Sequence, residues 1–274
     1  MEFIEILKAI LFGIVEGITE WLPISSTGHM ILLDEFVKLN VTESFKEMFL
    51  VVIQLGAIIA VVTTYWKRLF PFSFKGKIIV KKQIFVMWIK IIVACLPAAI
   101  VGVLWDDKIE ALFYNYTTVA VMLILVGILF LVMENRNEGR VSKINSIAQI
   151  TFKAALIVGV FQLIAAVFPG TSRSGATILG GIFVGMSRTV AAEFTFFMAV
   201  PVMFGASLLK LVKFGFAFTG SEVLILGAGL ITAYIVSVII INFLMQYIQK
   251  RDFKPFGWYR IVLGIVVLLY FWIV

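Results

Sequence analysis

The sequence predicts an all-α membrane protein with six transmembrane helices and two further helical hairpins. Three observations favour this fold class. Of the 274 residues, 62% are hydrophobic and only 14% are charged, whereas about a quarter of the residues of a soluble domain are charged. The apolar residues form runs long enough to cross a bilayer as helices. These runs lack the alternation that is typical of a membrane β-barrel.

The predicted spans cover roughly residues 45–66, 84–105, 116–134, 189–213, 221–248 and 257–274. Lysine and arginine concentrate in three segments, 67–90, 136–153 and 250–260, which all fall on one side of this six-span arrangement. The positive-inside rule makes that side cytoplasmic. The net charge of +7 is then explained by cytoplasmic loops, and no basic and aromatic pattern indicates nucleic-acid binding.

Two other apolar stretches, 3–39 and 147–187, are each interrupted by a proline and a cluster of small and hydroxyl residues. The interruptions run from Leu22 to Gly28 and from Phe168 to Gly175. Proline disfavours helix at the residue before it, and serine or threonine caps the helix that follows. Each stretch is therefore predicted to fold as helix, loop and helix. Because each half is too short to span comfortably, both are candidate re-entrant hairpins.

The two broken stretches also resemble each other. Gly13 to Glu16 align with Gly159 to Gln162, Pro23 with Pro169, Ser25-Ser26 with Thr171-Ser172, and, after one gap, Gly28 with Gly175. Each hairpin precedes three spans, so the single membrane domain 1–274 is predicted to contain two repeats of opposite topology, 1–134 and 147–274. In transporters built this way the site lies where the broken helices meet.

Four ionisable residues stand out inside the two hairpins: Glu16, Glu20, His29 and Arg173. A charge at mid-bilayer costs about 3 kcal/mol, so such residues are functional candidates. Glu16 and Glu20 are four residues apart and share a helix face. Their oxygens suit Mg²⁺ or Ca²⁺, and their apolar flanks disfavour the alternative that both simply face water. One cysteine and one histidine exclude a zinc site of the usual kind.

The first loop supplies hydroxyl groups beside the only histidine. Ser25, Ser26 and Thr27 can cap the second half-helix, whose N-terminus favours a phosphate. Ser25 and Thr27 are therefore candidate phosphate ligands. His29 follows Ser26 by about one helical turn, so its imidazole could activate the Ser26 hydroxyl or attack phosphorus itself. Capping alone would explain the hydroxyls, but it does not explain the histidine next to them.

The second loop supplies a cation among further hydroxyls. Arg173 can hold a phosphate through two hydrogen bonds and offset charge in the transition state. Ser172, Ser174 and Thr177 surround it in sequence and are candidate phosphate ligands. A phosphate between two helix N-termini, an arginine and a carboxylate-bound cation is typical of phosphoryl transfer.

The segments Glu16 to His29 and Pro169 to Thr177 resemble the motifs of the undecaprenyl-diphosphate phosphatases of the bacitracin-resistance type. The resemblance covers essentially the whole chain. It implies hydrolysis of a C55 prenyl pyrophosphate to the monophosphate, which recycles the lipid carrier of peptidoglycan synthesis. It implies a divalent cation, Mg²⁺ or Ca²⁺, and a site that opens to the outer face of the cytoplasmic membrane. It also implies that Ser26 and His29 are the candidate nucleophile or base, and that the site is lined by Glu16, Glu20, Ser172, Arg173, Ser174 and Thr177.

Two other interpretations of the sequence compete with the undecaprenyl-diphosphate phosphatase. Inverted repeats are typical of carriers, so the chain could instead flip the polyprenyl phosphate. The pair Glu16 and Glu20 beside a hydroxyl favours the phosphatase, because a carrier needs no such pair. The phosphatidic-acid-phosphatase class requires a second histidine, and His29 is the only one. The sequence leaves open whether the protein forms a homodimer.

Overall fold

The computed structural model describes residues 2–73 and 79–273, and the described chain is almost entirely helical. Part of the predicted basic segment 67–90 lies outside these ranges. The α-helices are α1 (Glu2–Thr19), α2 (Ser26–Phe36), α3 (Glu43–Val52), α4 (Gln54–Thr64), α5 (Trp66–Leu69), α6 (Lys82–Phe113), α7 (Tyr116–Asn137), α8 (Phe152–Val167), α9 (Arg173–Phe183), α10 (Arg188–Phe214), α11 (Gly220–Tyr247) and α12 (Lys254–Ile273). Two short strands, β1 (Phe72–Ser73) and β2 (Ile79–Val80), pair antiparallel, and a 3₁₀ turn covers Ile147–Gln149.

Six segments are long and apolar enough to cross a membrane, and they confirm the predicted spans. They are Glu43–Thr64, Lys82–Trp105, Tyr116–Asn137, Arg188–Phe214, Gly220–Tyr247 and Lys254–Ile273. The first combines α3 and α4, which join at Ile53. Large apolar side chains point outward from these helices, as at Val103 and Leu125, which a surface in contact with lipid requires. The chain is a multi-pass membrane protein.

Each broken stretch forms a pair of short helices that returns to the end of the bundle where it began. In the α1–α2 pair, the Lys8 ammonium donates to the Lys38 carbonyl at 2.7 Å, and Asn40 N–H donates to Glu5 at 2.8 Å. In the α8–α9 pair, the segment that leads into α8 meets the turn that follows α9, where Lys143 N–H donates to the Gly185 carbonyl at 2.9 Å. Their placement in the bilayer as re-entrant hairpins stays a prediction.

The first helix of each pair lies directly against a long helix of the other half, α1 against α11 and α8 against α6. Small residues allow this contact. A Cβ atom added to Gly13 would lie 2.6 Å from the Gly229 carbonyl oxygen, and one added to Gly159 would lie 2.2 Å from that of Ala94. Gly13 and Gly159 are the residues that the sequence alignment pairs. The opposite membrane orientation of the two halves stays a prediction.

The sequence suggested that all the basic residues of the segments 67–90 and 250–260 lie in exposed cytoplasmic segments. Two of these residues do not. Lys90 is in α6 and is buried, and its ammonium donates to the Ala148 carbonyl at 3.3 Å. Arg260 is in α12 and is fully buried. The physical reason is that α6 begins at Lys82 and α12 at Lys254, so both side chains lie well inside a helix, on faces that pack against the bundle.

Candidate active site

Each of the two loops ends in a serine that caps the following helix. Ser25 caps α2 and accepts a hydrogen bond from Gly28 N–H at 3.3 Å, and Ser172 caps α9 and accepts one from Gly175 N–H at 3.1 Å. Ser25 is therefore the structural counterpart of Ser172, whereas the sequence alignment pairs Ser26 with Ser172. The second loop has its extra residue before the cap, between the proline and the serine.

Both cap serines have a backbone conformation that is unusual for an L-amino acid, with φ values of 75° and 69°. Such a conformation costs about 1 kcal/mol or more and persists only where the surroundings hold it. The Arg260 guanidinium supplies this support. It donates to the Pro23 carbonyl of the first loop at 3.2 Å and to Gly170 and Thr171 of the second loop at 2.8 and 2.9 Å. One buried side chain thus joins the two loops.

Glu20 lies between the two half-helices and binds the first residue of each. The Ser26 hydroxyl donates to one carboxylate oxygen at 2.8 Å, and Arg173 Nη2 donates to the other at 2.8 Å. Arg173 also donates to the Thr195 carbonyl at 3.2 Å, and its guanidinium carbon lies 6.0 Å from the centre of the Trp21 ring. These contacts bring a hydroxyl, a carboxylate and an arginine together, as the sequence predicted.

The remaining hydroxyls of the second loop organise the loop itself. The Ser172 and Ser174 hydroxyls are 3.1 Å apart, and Ser174 also donates to the Leu22 carbonyl of the first loop at 3.4 Å. The Thr177 hydroxyl donates to the Arg173 carbonyl at 2.9 Å. Thr177 is completely buried and Ser174 almost so. In this conformation only Ser172 is positioned to offer a partly exposed hydroxyl to a ligand.

His29 lies on α2 one turn after the cap, but its ring nitrogens bind groups other than Ser26. Nδ1 is 2.7 Å from the Ser25 carbonyl and Nε2 is 2.7 Å from the Tyr259 hydroxyl. A carbonyl only accepts, so Nδ1 donates to it, and in the neutral ring Nε2 accepts from the Tyr259 hydroxyl. The two rings are stacked, with centroids 5.6 Å apart. Thr27, which is half-buried, lies two residues before His29 on α2.

Glu16 lies on α1, four residues before Glu20, and has no hydrogen-bond partner among the residues that the structure describes. Its side chain is buried, and neither carboxylate oxygen is bonded within the described residues. A buried carboxylate without a partner is costly, so this orphaned group fits a bound cation. Among the described residues, no group of three or more histidine, cysteine, aspartate or glutamate side chains gathers in one place. Two carboxylates, with phosphate oxygens and water, suit Mg²⁺.

The comparison with protein families identifies the chain. The family described as bacitracin resistance protein BacA matches residues 9–266. The chain belongs to this family. The match includes both loops and every candidate site residue described above.

Curated relatives of this BacA-family chain match over nearly their full length. The undecaprenyl-diphosphatase of Desulfitobacterium hafniense is 67% identical over 271 residues, which are 99% of this chain and 98% of the relative. The undecaprenyl-diphosphatase 1 of Clostridium acetobutylicum is 65% identical over 100% of both chains. An undecaprenyl-diphosphatase of Enterococcus faecalis is 60% identical over 98% of both chains.

Three residues at the site of this BacA-family chain are absent from the sequence prediction: Tyr259, Arg260 and Thr195. Tyr259 and Arg260 lie in the predicted span 257–274, which is otherwise apolar. An arginine inside a span is a functional candidate, but the sequence analysis counted Arg260 with the basic segment 250–260 instead. Thr195 lies among phenylalanines in α10 and donates to the Thr177 hydroxyl at 2.8 Å. A single hydroxyl in an apolar span gives no signal of its own.

Proposed function

We propose that this protein hydrolyses undecaprenyl pyrophosphate to undecaprenyl phosphate and inorganic phosphate. The observation that carries the proposal is the convergence of Ser26 and Arg173 on Glu20, at 2.8 Å each. This arrangement joins a nucleophile, a proton acceptor and a phosphate-binding cation. The names of full-length relatives that are 60–67% identical state the same activity for those proteins.

In the first step that we propose, the Ser26 oxygen attacks the terminal phosphorus of the pyrophosphate. Its proton passes to Glu20, the carboxylate it already contacts. The bond between the terminal phosphorus and the bridging oxygen breaks, and its electron pair leaves with undecaprenyl phosphate. Glu20 is the better placed base for this step than His29, because the His29 ring nitrogens are bound to Ser25 and Tyr259.

In the second step, water attacks the phosphorus of the resulting phosphoserine. The Ser26 oxygen leaves and recovers its proton from Glu20, while the water proton goes to solvent. The products are inorganic phosphate and the original enzyme. The first residues of α2 and α9 meet at Glu20, so the free N–H groups of both helix N-termini favour the negative charge that develops on the phosphoryl oxygens.

Arg173 changes partner in this scheme. Without substrate its charge is offset by Glu20, at 2.8 Å. An incoming pyrophosphate offers a stronger and bidentate partner, so Arg173 turns to the phosphate and leaves Glu20 free to accept the Ser26 proton. When a divalent cation is bound, Glu16 and the Glu20 oxygen that Arg173 vacates would hold it, the other Glu20 oxygen would remain available to Ser26, and the cation would supply further positive charge beside the phosphates.

One end of the bundle is basic and carries Lys67, Lys143, Arg188 and Lys250. By the positive-inside rule, this end faces the cytoplasm. The protein then lies in the cytoplasmic membrane with its site open to the outer face. Lipid transport is the second candidate function. The shared pattern of the two broken stretches favours it, because many carriers are built from two inverted repeats whose broken helices meet at the site. A homodimer stays a prediction.

The deciding experiment is phosphate release from undecaprenyl pyrophosphate by the purified protein in detergent, with and without Mg²⁺ or Ca²⁺. We expect stoichiometric release of inorganic phosphate and of undecaprenyl phosphate. The same protein is reconstituted in vesicles to follow movement of a labelled lipid between the leaflets. Lipid movement without phosphate release by a folded, substrate-binding protein would refute the phosphatase and support the carrier.

A further inference from the structure

A cavity of about 440 Å³ opens at the basic end of the bundle, separate from the two loops. It is bounded by the end of α7, the segment 140–143, the turn after α9, the start of α10 and the end of α11. The 11 residues of α9 separate it from the Arg173 loop by about 16 Å, at 1.5 Å per residue. No step proposed above uses this cavity.

The lining of the cavity is cationic. Arg140, Lys143 and Arg188 line it, and Glu134 is the only acidic residue among the described lining residues. Glu134 is already committed, because it accepts from Arg188 Nε at 3.0 Å and from Phe253 N–H at 3.1 Å. Arg140 and Lys143 therefore leave positive charge that nothing in the lining offsets, which favours an anionic ligand.

The walls of the cavity are held in place by backbone hydrogen bonds. Lys143 and Ile144 N–H both donate to the Gly185 carbonyl, at 2.9 and 3.0 Å, and Ser187 N–H donates to the Ile144 carbonyl at 2.9 Å. The Ser187 side chain in turn caps α10 through Val190 N–H at 3.3 Å. The backbone at Lys143 and at the start of α10 is thus fixed, and an ordered backbone of this kind lowers the entropic cost of binding.

Two of the exposed residues that line the cavity are apolar. Val141 and Phe183 line it, and they are 91% and 58% exposed. Exposed apolar side chains beside a cluster of cations match an amphiphile, with a charged head and a hydrocarbon chain. Free inorganic phosphate has no apolar part that could contact these two side chains.

We propose that this cavity binds the phosphate headgroup of an anionic membrane lipid. The headgroup lies among Arg140, Lys143 and Arg188, and a hydrocarbon chain runs past Val141 and Phe183. Basic pockets between transmembrane helices on the cytoplasmic side are suited to such headgroups. Because Arg140 follows the first half of the chain and Arg188 belongs to the second, the bound lipid would connect the two halves at the end of the bundle opposite to the start of α1.

The test is native mass spectrometry of the purified, delipidated protein with dioctanoyl phosphatidylglycerol, with dioctanoyl phosphatidylcholine, and with inorganic phosphate as a competitor. The double variant Arg140→Gln/Lys143→Gln is compared with Lys82→Gln/Lys153→Gln, which removes two exposed lysines from the same end of the bundle outside the cavity. We expect phosphatidylglycerol to be retained over phosphatidylcholine. We expect the cavity variant to bind it roughly 30-fold more weakly, with the control variant unchanged.

Equal weakening in both double variants would show attraction to general surface charge and would overturn the proposal. Equal retention of the two lipids would do the same. Binding of inorganic phosphate without retention of either lipid would refute the lipid as the occupant. Phosphate release from undecaprenyl pyrophosphate is measured on all variants and is expected at the wild-type rate, so a failure of this proposal stays distinct from a failure of the phosphatase.

Discussion

Ser26 and Arg173 occupy the same position, the first residue of a half-helix, in two different halves of the chain, and each binds one oxygen of Glu20 at 2.8 Å. Their chemistry differs although their geometry is equivalent. One supplies a hydroxyl and the other a positive charge. The carboxylate between them couples the two, because a change in the partner of Arg173 changes what Glu20 can do for Ser26.

Glu20→Gln is expected to lower kcat by roughly 10² to 10⁴ while the protein stays folded, because the amide cannot take up the Ser26 proton. The change keeps the size of the side chain. Phosphate release under saturating substrate measures it, and Glu35→Gln, the same change at an exposed position, serves as the control. A kcat within a few-fold of wild type would rule out Glu20 as the base.

Ser26→Ala is expected to abolish phosphate release, by on the order of 10³-fold or more, because it removes the proposed nucleophile. A rapid acid quench of the wild type with ³²P-labelled substrate should trap a phosphoserine that the variant lacks. Ser25→Ala is the neighbouring control. It removes a cap worth about 1 kcal/mol of stability and should still form the phosphoenzyme. Trapping of label on His29 instead would overturn the assignment of Ser26.

Tyr259→Phe is expected to lower kcat about fivefold with little change in KM. The variant loses one hydrogen bond to His29 Nε2, worth about 1 kcal/mol, and keeps the stacked ring. Tyr270→Phe, on the same helix α12, is the matched control. An unchanged kcat in Tyr259→Phe would show that the orientation of His29 does not contribute to the reaction.

Arg260→Lys is expected to lower the free energy of unfolding by about 3 kcal/mol. Lysine keeps the charge, but its ammonium group cannot donate to carbonyls of both loops at once as the planar guanidinium does. Thermal unfolding in detergent measures the loss. Arg251→Lys, at an exposed position, should unfold as the wild type does. If both variants unfolded alike, Arg260 would not hold the two loops together.

Glu16→Gln is expected to raise the Mg²⁺ or Ca²⁺ concentration needed for half-maximal activity at least tenfold, because the variant removes the carboxylate that has no other partner. Chelation by EDTA should abolish activity in the wild type, and added cation should restore it. The variant is assayed over a cation titration beside Glu35→Gln. Unchanged cation dependence would exclude Glu16 as a ligand.

The fold could be predicted in good part from hydrophobicity, because bilayer thickness and the need to satisfy backbone polar groups leave few alternatives. The spans, the two broken stretches and their shared pattern all follow from it. The buried positions of Lys90 and Arg260 do not. Near a helix end a basic side chain can extend to the membrane surface or turn into the bundle, and only the packing of neighbouring helices decides between the two.

The members of the site were easier to predict than their pairings. Glu16, Glu20, Ser26 and Arg173 stood out as polar groups in apolar surroundings. The hydrogen-bond partner of Ser26 did not stand out. The spacing of one helical turn suggested that His29 contacts Ser26. In the structure the chain bends at the cap, and Glu20 accepts the hydrogen bond from the Ser26 hydroxyl instead. Tyr259 contacts His29 across 230 residues of sequence, a distance at which spacing carries no information.

The buried carboxylate of Glu20 receives one donor from each half of the chain, so neither half holds a complete site. In this respect the site resembles a subunit interface that lies inside one polypeptide. Two halves made as separate chains, cut in the exposed segment near Val141, would each lack both a complete site and the long helix on which its own hairpin packs. Activity would then appear only on their association, as complementation between fragments.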